Sequence, residues 1–229
     1  METISSVNKR ESKSYIAFFD LDRTMINSVS GMVLAKSAWK NGLMNDSDLA
    51  KALLLSISWS FGLMDPVKVM HEMVSWVNGL DEAVFKDLCG KVFNDILLPS
   101  LYNDVQPEIE MHRKNNGKTV VLSSSVIQIC RQFADHLGMD DVVSSELEAV
   151  NGTMTGRAKG RLCFGPEKLV RLKDYCEKNN NTLSEAWYYA DAGSDIPVLE
   201  TIGNPVCVNP DKKLIKKAIA NNWKVCNWK

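Results

Sequence analysis

Residues Tyr15–Ser28 read YIAFFDLDRTMINS. Five apolar or aromatic residues, Tyr15 to Phe19, suit a strand buried on both faces. The run stops abruptly at Asp20 and Asp22, followed by Thr24. Side chains alternate along a strand, so residues two apart leave on the same side. If the extended backbone continues past Phe19, both carboxylates face the crevice beyond the strand's carboxyl end, where open α/β sheets bind ligands. Two like charges so close are costly unless a cation lies between them or one holds a proton. The pair reads as a divalent-metal site, as a nucleophile beside a general acid/base, or as both. The competing reading is a plain turn, in which aspartate and asparagine are ordinary residues.

Upstream, METISSVNKRESK is polar and mixed in charge. It lacks the pattern of a signal peptide, and residues 1–13 are expected as a disordered tail. Downstream the period changes from strand to helix. Gly31–Lys40 carries Met32, Val33, Ala35 and Trp39 on one stripe. Asn45 or Asp46 caps a second helix through Leu49, Leu53, Ile57 and Phe61. Asp65-Pro66 opens a third with Val69, Met70, Met73, Val74 and Val77, closing at Asn78-Gly79. Asp81 caps a fourth, through Val84, Phe85, Leu88, Val92 and Phe93. The spacing predicts a helical insertion over residues 29–98, with no strand, set into a core of residues 14–28 and 99–229.

Strand period returns at Lys118–Leu122 and ends in Ser123-Ser124-Ser125. A helix from Val126 to Leu137 closes at Gly138, and a β segment follows over Asp141–Glu148. Asn151-Gly152 signals a tight hairpin. Gly165-Pro166-Glu167-Lys168 opens a helix reaching Lys178. Ala186–Ala190 is a buried-type strand ending in Asp191, and a helix with Pro197 in its first turn follows. Pro205–Val208 is a short strand, and Asp211–Asn222 a last helix bearing Lys212, Lys213, Lys216 and Lys217. This alternation predicts a parallel sheet with helices on both faces.

Composition excludes several function classes. A net charge of -1 gives no electrostatic footprint for nucleic acid. No apolar run reaches the roughly 18–20 residues of a membrane span, so no stable membrane insertion is expected. Six cysteines without a C-x-x-C pair fit buried thiols in a reducing cytosol, and a cytoplasmic protein is expected. His71, His112 and His136 stand far apart and read as packing or surface residues. The oligomeric state is not written in the chain.

Three predicted strands thus end in polar groups: Asp20/Asp22/Thr24, Ser123/Ser124 and Asp191/Asp195. In a parallel sheet these ends open on one edge, and Lys168, at a helix start, can reach it. Four carboxylates, hydroxyls and one ammonium suit a divalent cation beside a phosphate.

The order D-L-D-R-T, strand-Ser123, Lys168, D-A-G-S-D resembles the haloacid dehalogenase superfamily of phosphohydrolases. The insertion after Asp20, with C-F-G-P-E-K (Cys163–Lys168) and N-P-V-C-V-N-P-D-K-K-L (Asn204–Leu214), is similar to its phosphoserine-phosphatase-like subgroup IB. The resemblance implies a Rossmann-like, doubly wound α/β core with a helical cap in the first position (C1 type). It implies an Mg2+-dependent phosphatase acting on a small-molecule phosphate ester through an aspartyl-phosphate. Asp20 then matches the nucleophile, Asp22 the general acid/base, and Thr24 a group orienting Asp22. Ser123, with Ser124 and Arg23, would bind substrate, and Lys168 would neutralise the nucleophile and the phosphate. Asp20, Asp191 and the Asp22 carbonyl would hold the metal, with Asp195 holding a water on it.

The chain also departs from that pattern. Arg23 stands where relatives carry a small residue, and Ala190 where a glycine often stands. Val29 replaces the glutamate, and no arginine lies between Ser28 and Gln106, where phosphoserine phosphatases bind the amino acid. Apolar residues of Leu53–Met64 with Trp39, Trp59 and Trp76 either pack the insertion on itself or line a pocket for a lipid-like ester. The rival activities are a phosphoserine- or histidinol-phosphate-type phosphatase, a phosphotransferase, and a phosphate-binding module without turnover.

Overall fold

The computed structural model describes residues 14–60 and 72–229, the side chains of 56–60 excepted. The expected tail and most of the third helix, with Val69, Met70 and His71, lie outside the described residues, as do Phe61 and the side chains of Ile57 and Trp59.

A six-stranded parallel sheet runs in the order β3-β2-β1-β6-β7-β8. Its strands are β1 (Tyr15–Phe19), β2 (Gly117–Val126), β3 (Asp141–Ser145), β6 (Trp187–Ala190), β7 (Asn204–Val208) and β8 (Lys224–Cys226). The chain winds outward from β1 through β2 to β3, then restarts at β6 on the other side of β1. The order therefore reverses at β1, where doubly wound sheets open a ligand crevice. Alternation along β1 sends Ala17 and Phe19 into one core and Ile16 and Phe18 into the other. The first core is closed by α4 (Val105–Lys114) and α5 (Ile127–Leu137). The second is closed by α6 (Pro166–Lys178), the one-turn α7 (Ile196–Leu199) and α8 (Lys212–Ala220).

The helical insertion holds α1 (Ser30–Lys40), α2 (Asp46–Ser60) and α3 (Glu82–Val92), with a 3-10 turn at Ser75–Val77. Asn45 caps α2 by accepting the Asp48 N–H at 2.8 Å, and Asp81 caps α3. The chain enters and leaves the insertion side by side: Asn27 N donates to Ser100 O and Tyr102 N to Met25 O.

Several expectations are corrected. Trp39 is 41% exposed, its indole N–H on Asp46, because Leu34, Ala35 and Ala38 form the buried stripe of α1. Leu53 is exposed and Ala52 and Leu55 are buried instead. The strand expected to stop before the serines continues through them to Val126. The segment expected over Asp141–Glu148 divides: β3 joins the main sheet, while β4 (Leu147–Val150) pairs antiparallel with β5 (Thr153–Ala158). Asn151 and Gly152, both with positive φ, turn that hairpin. The hairpin docks on the insertion, Gly79 N donating to Met154 O and Met154 N to Leu80 O. β8 carries no period of its own and was not predicted. His112 is a packing residue, as expected, bonded to the Tyr15 and Tyr189 hydroxyls.

Candidate active site

Asp20 follows the last residue of β1, and its N–H still pairs with Tyr189 O of β6 at 3.0 Å. The alternation persists: Leu21 is buried in the core, while Asp20 and Asp22 both face one cavity. Beyond them the backbone coils tightly, with the N–H groups of Thr24, Met25 and Ile26 all on Leu21 O. Arg23 adopts a left-handed φ of 60° at this bend, its side chain at the cavity rim.

Lys168, in the first turn of α6, is buried with its Nζ 3.2 Å from Asp20 Oδ1 and 2.7 Å from Asp195 Oδ1. Burial works against the ammonium, but Asp195 and Asp20 outweigh it and hold its pKa above the usual lysine value. Asp195 Oδ1 also accepts the Tyr188 hydroxyl at 2.6 Å. Asp191 follows the last residue of β6, and its loop is pinned by Asp211, whose N–H donates to Asp191 O while its carboxylate accepts Gly193 N.

Negative charge is in excess. Burial, with Asp195 and Asp22, pushes the Asp20 carboxyl up to about 7 despite Lys168. Burial, with Asp20 and Asp195, pushes Asp191 up to about 8. Burial also raises Asp22, against two hydrogen bonds from Ser30. Among the described residues no three His, Cys, Asp or Glu side chains form a ready-made metal shell. The donors on offer are the Asp20 and Asp191 carboxylates, both at the cavity floor. Hard oxygen donors carrying unneutralised charge fit a divalent cation such as Mg2+.

Two expected assignments change. Thr24 is fully buried and donates to Asp191 Oδ1 at 3.3 Å, not to Asp22. Asp22 is held instead by Ser30, which sequence reasoning missed. Ser123 is also fully buried, its Oγ accepting Ser125 N at 3.3 Å, and it is Ser124 and Ser125 that reach the cavity wall. Tyr188 was missed as well. Its one signal was that a tyrosine in a buried strand needs a partner for its hydroxyl.

The cavity holds about 270 Å3. Its floor is Asp20, Asp22, Lys168, Asp191 and Asp195, and its walls include Leu34, Met73, Trp76, Phe85, Ile129 and Phe164.

The family model for haloacid dehalogenase-like hydrolases matches residues 17–200. A histidinol-phosphatase of Neisseria meningitidis serogroup C (strain 8013) is 24% identical over 223 residues, covering 93% of this chain and 99% of its own. A crystal structure of a protein of unknown function from Bordetella pertussis Tohama I superposes with a TM-score of 0.84 at 21% identity, covering 93% of this chain and 98% of that one. A substrate-bound phosphoserine phosphatase superposes with a TM-score of 0.73 at 15% identity, covering 94% and 93%. At these identities the superpositions speak for the fold alone, but the family model spans most of the chain and the parallel sheet brings its carboxylates to one edge. The chain belongs to the haloacid dehalogenase-like hydrolase family.

Proposed function

We propose that the protein is an Mg2+-dependent phosphomonoester hydrolase that works through an aspartyl-phosphate on Asp20, with residues 29–98 as a cap over the site. The observation carrying this reading is the buried Asp20 carboxylate, 3.2 Å from Lys168 Nζ at the switch point of the sheet, with Asp22 facing the same cavity. An oxygen of Asp20 attacks phosphorus, forming one P–O bond as the ester P–O bond breaks. Asp22 gives its proton to the leaving oxygen, then takes one from a water that attacks the same phosphorus. Phosphate leaves and Asp20 is regenerated. Lys168 holds positive charge between the nucleophile and the phosphoryl oxygens throughout. Asp20, Asp191 and the Asp22 carbonyl would hold a divalent cation, which would screen the charge between carboxylate and phosphate. Asp195 supports this reading as the anchor of Lys168 rather than as a direct ligand.

The metal can be tested without turnover. Asp20 and Asp191 bind protons more tightly folded than unfolded, so their contribution to metal-free stability is full at low pH and is lost as pH rises to about 8. Mg2+ should reverse that loss. At roughly 100-fold its Kd it should add about 2.7 kcal/mol, or ~5–10 °C in Tm, at pH 8. At pH 5.5, where the carboxyls hold protons, the gain should be clearly smaller. Equal shifts at both pH values would count against these ligands.

The cavity walls favour an apolar or aromatic leaving group on a phosphate ester. Among the described lining residues the cationic side chains are Lys168 and Arg23. A bidentate arginine, the usual partner for a substrate carboxylate, is absent from the whole stretch Ser28–Gln106. Phosphoserine should therefore lose about 2–3 kcal/mol of transition-state binding, a factor of ~30–150 in kcat/KM, against benzyl phosphate or a lysophosphatidate. Histidinol phosphate belongs in the same panel, because a relative is named for it. If phosphoserine is turned over best, the specificity reading fails while the phosphatase reading stands.

A further inference from the structure

We infer that Ser30 is a positioning residue for the general acid, and that Ser125 completes a two-hydroxyl chain holding Asp22 from the first turn of α1. The inference rests on the reading of Asp22 as the acid. Ser30 N donates to Asp22 Oδ1 at 2.9 Å, and Ser30 Oγ donates to Asp22 Oδ2 at 3.0 Å. Both carboxylate oxygens are thus engaged by one residue. Ser30 is the first residue of α1, and the preceding Val29 offers no side-chain cap. Asp22 therefore satisfies an unpaired N–H at the helix start and lies against its positive end.

Ser30 Oγ also lies 2.7 Å from Ser125 Oγ. A hydroxyl has one proton to give. While Asp22 is ionised, Ser30 gives its proton to the carboxylate, and Ser125 is then the donor to Ser30. Donation runs from Ser125 through Ser30 to Asp22, and each bond polarises the next. Ser125 belongs to β2, and its own N–H donates to Ser123 Oγ. The chain joins three pieces of the fold: the loop after β1, the first turn of the insertion and the serine end of β2. The acid's orientation depends on α1 being seated against β2.

A general acid matters most when the leaving oxygen is strongly basic. p-Nitrophenolate leaves without a proton, and an alkoxide does not. Ser30→Ala should lower kcat/KM for benzyl phosphate about 10–100-fold and for p-nitrophenyl phosphate by less than about 3-fold. Ser30→Thr, which keeps the hydroxyl, should restore the ratio of the two. Ser125→Ala should show the same selectivity, more weakly. Equal losses on both esters, or none, in folded Ser30→Ala would overturn the inference. Should that variant fail to fold, the same criterion applied to Ser125→Ala decides. These outcomes are distinct from a failure of the phosphatase reading, which would appear as undiminished turnover in an Asp20 variant.

Discussion

Asp20→Asn should lower kcat for p-nitrophenyl phosphate by at least about 10^3–10^4-fold, because the amide has no anionic oxygen to attack phosphorus. The expected loss is large because a nucleophile has no substitute within the site. Asp22 is engaged through both its oxygens by Ser30, and Asp195 by Lys168 and Tyr188. The fold should be unharmed. Asparagine has the shape of aspartate, and above about pH 7 it removes a buried charge that Lys168 only partly offsets. Metal-free Tm at pH 8 should match or exceed that of the wild type, and the gain on adding Mg2+ should shrink with a ligand lost. Near-wild-type turnover in a folded variant would sink the assignment of Asp20.

The second large effect belongs to Lys168. Lys168→Met removes the ammonium between Asp20 and Asp195, at 3.2 and 2.7 Å, and leaves buried carboxylates facing each other. Breaking a buried pair by deleting one partner costs about 3–5 kcal/mol, or roughly 6–20 °C in Tm for a chain this size. Asp20 already holds its proton up to about pH 7 and should hold it higher still without the lysine. The destabilisation should therefore be largest near pH 8 and smaller at pH 5.5, where Asp20 is neutral in either protein. Activity should fall at least about 10^2–10^3-fold at neutral pH. Lys168→Arg should not restore it, since the planar guanidinium cannot take the place of a compact ammonium between two oxygens. A stability change that is the same at both pH values would show that Lys168 does not act through Asp20.

Much of this architecture is legible in the chain because it depends on local patterns. The all-apolar run of β1 needs two covered faces, and Asp20 breaks it with a carboxylate at the sheet edge where doubly wound sheets open a crevice. Asp81 announces α3, Asn151-Gly152 the hairpin and Gly138 the close of α5, each through side-chain or backbone geometry within a few residues. Asp20, Asp22, Lys168, Asp191 and Asp195 are legible as one group in the chain itself. They sit at strand ends and a helix start, and parallel strands put those ends on one edge.

What the sequence could not decide lies between residues distant along the chain. Thr24 is two residues from Asp22, yet its hydroxyl belongs to Asp191, because the tight coil after Leu21 turns it toward β6. Ser30 and Ser125 stand far apart in sequence and meet only when α1 seats on β2. Ser123 looks like a wall of the site and is buried beneath it. Trp39 looks like core and lies outside, because helical period marks which residues share a face but not which face the rest of the molecule covers. The chain by itself determined most of the elements, their order and the charged groups at one sheet edge, since those follow from backbone periodicity; β8 and the division between β3 and β4 it did not. Only the tertiary structure decided which hydroxyl holds which carboxylate, since hydrogen bonds and burial are settled by packing across the chain rather than along it.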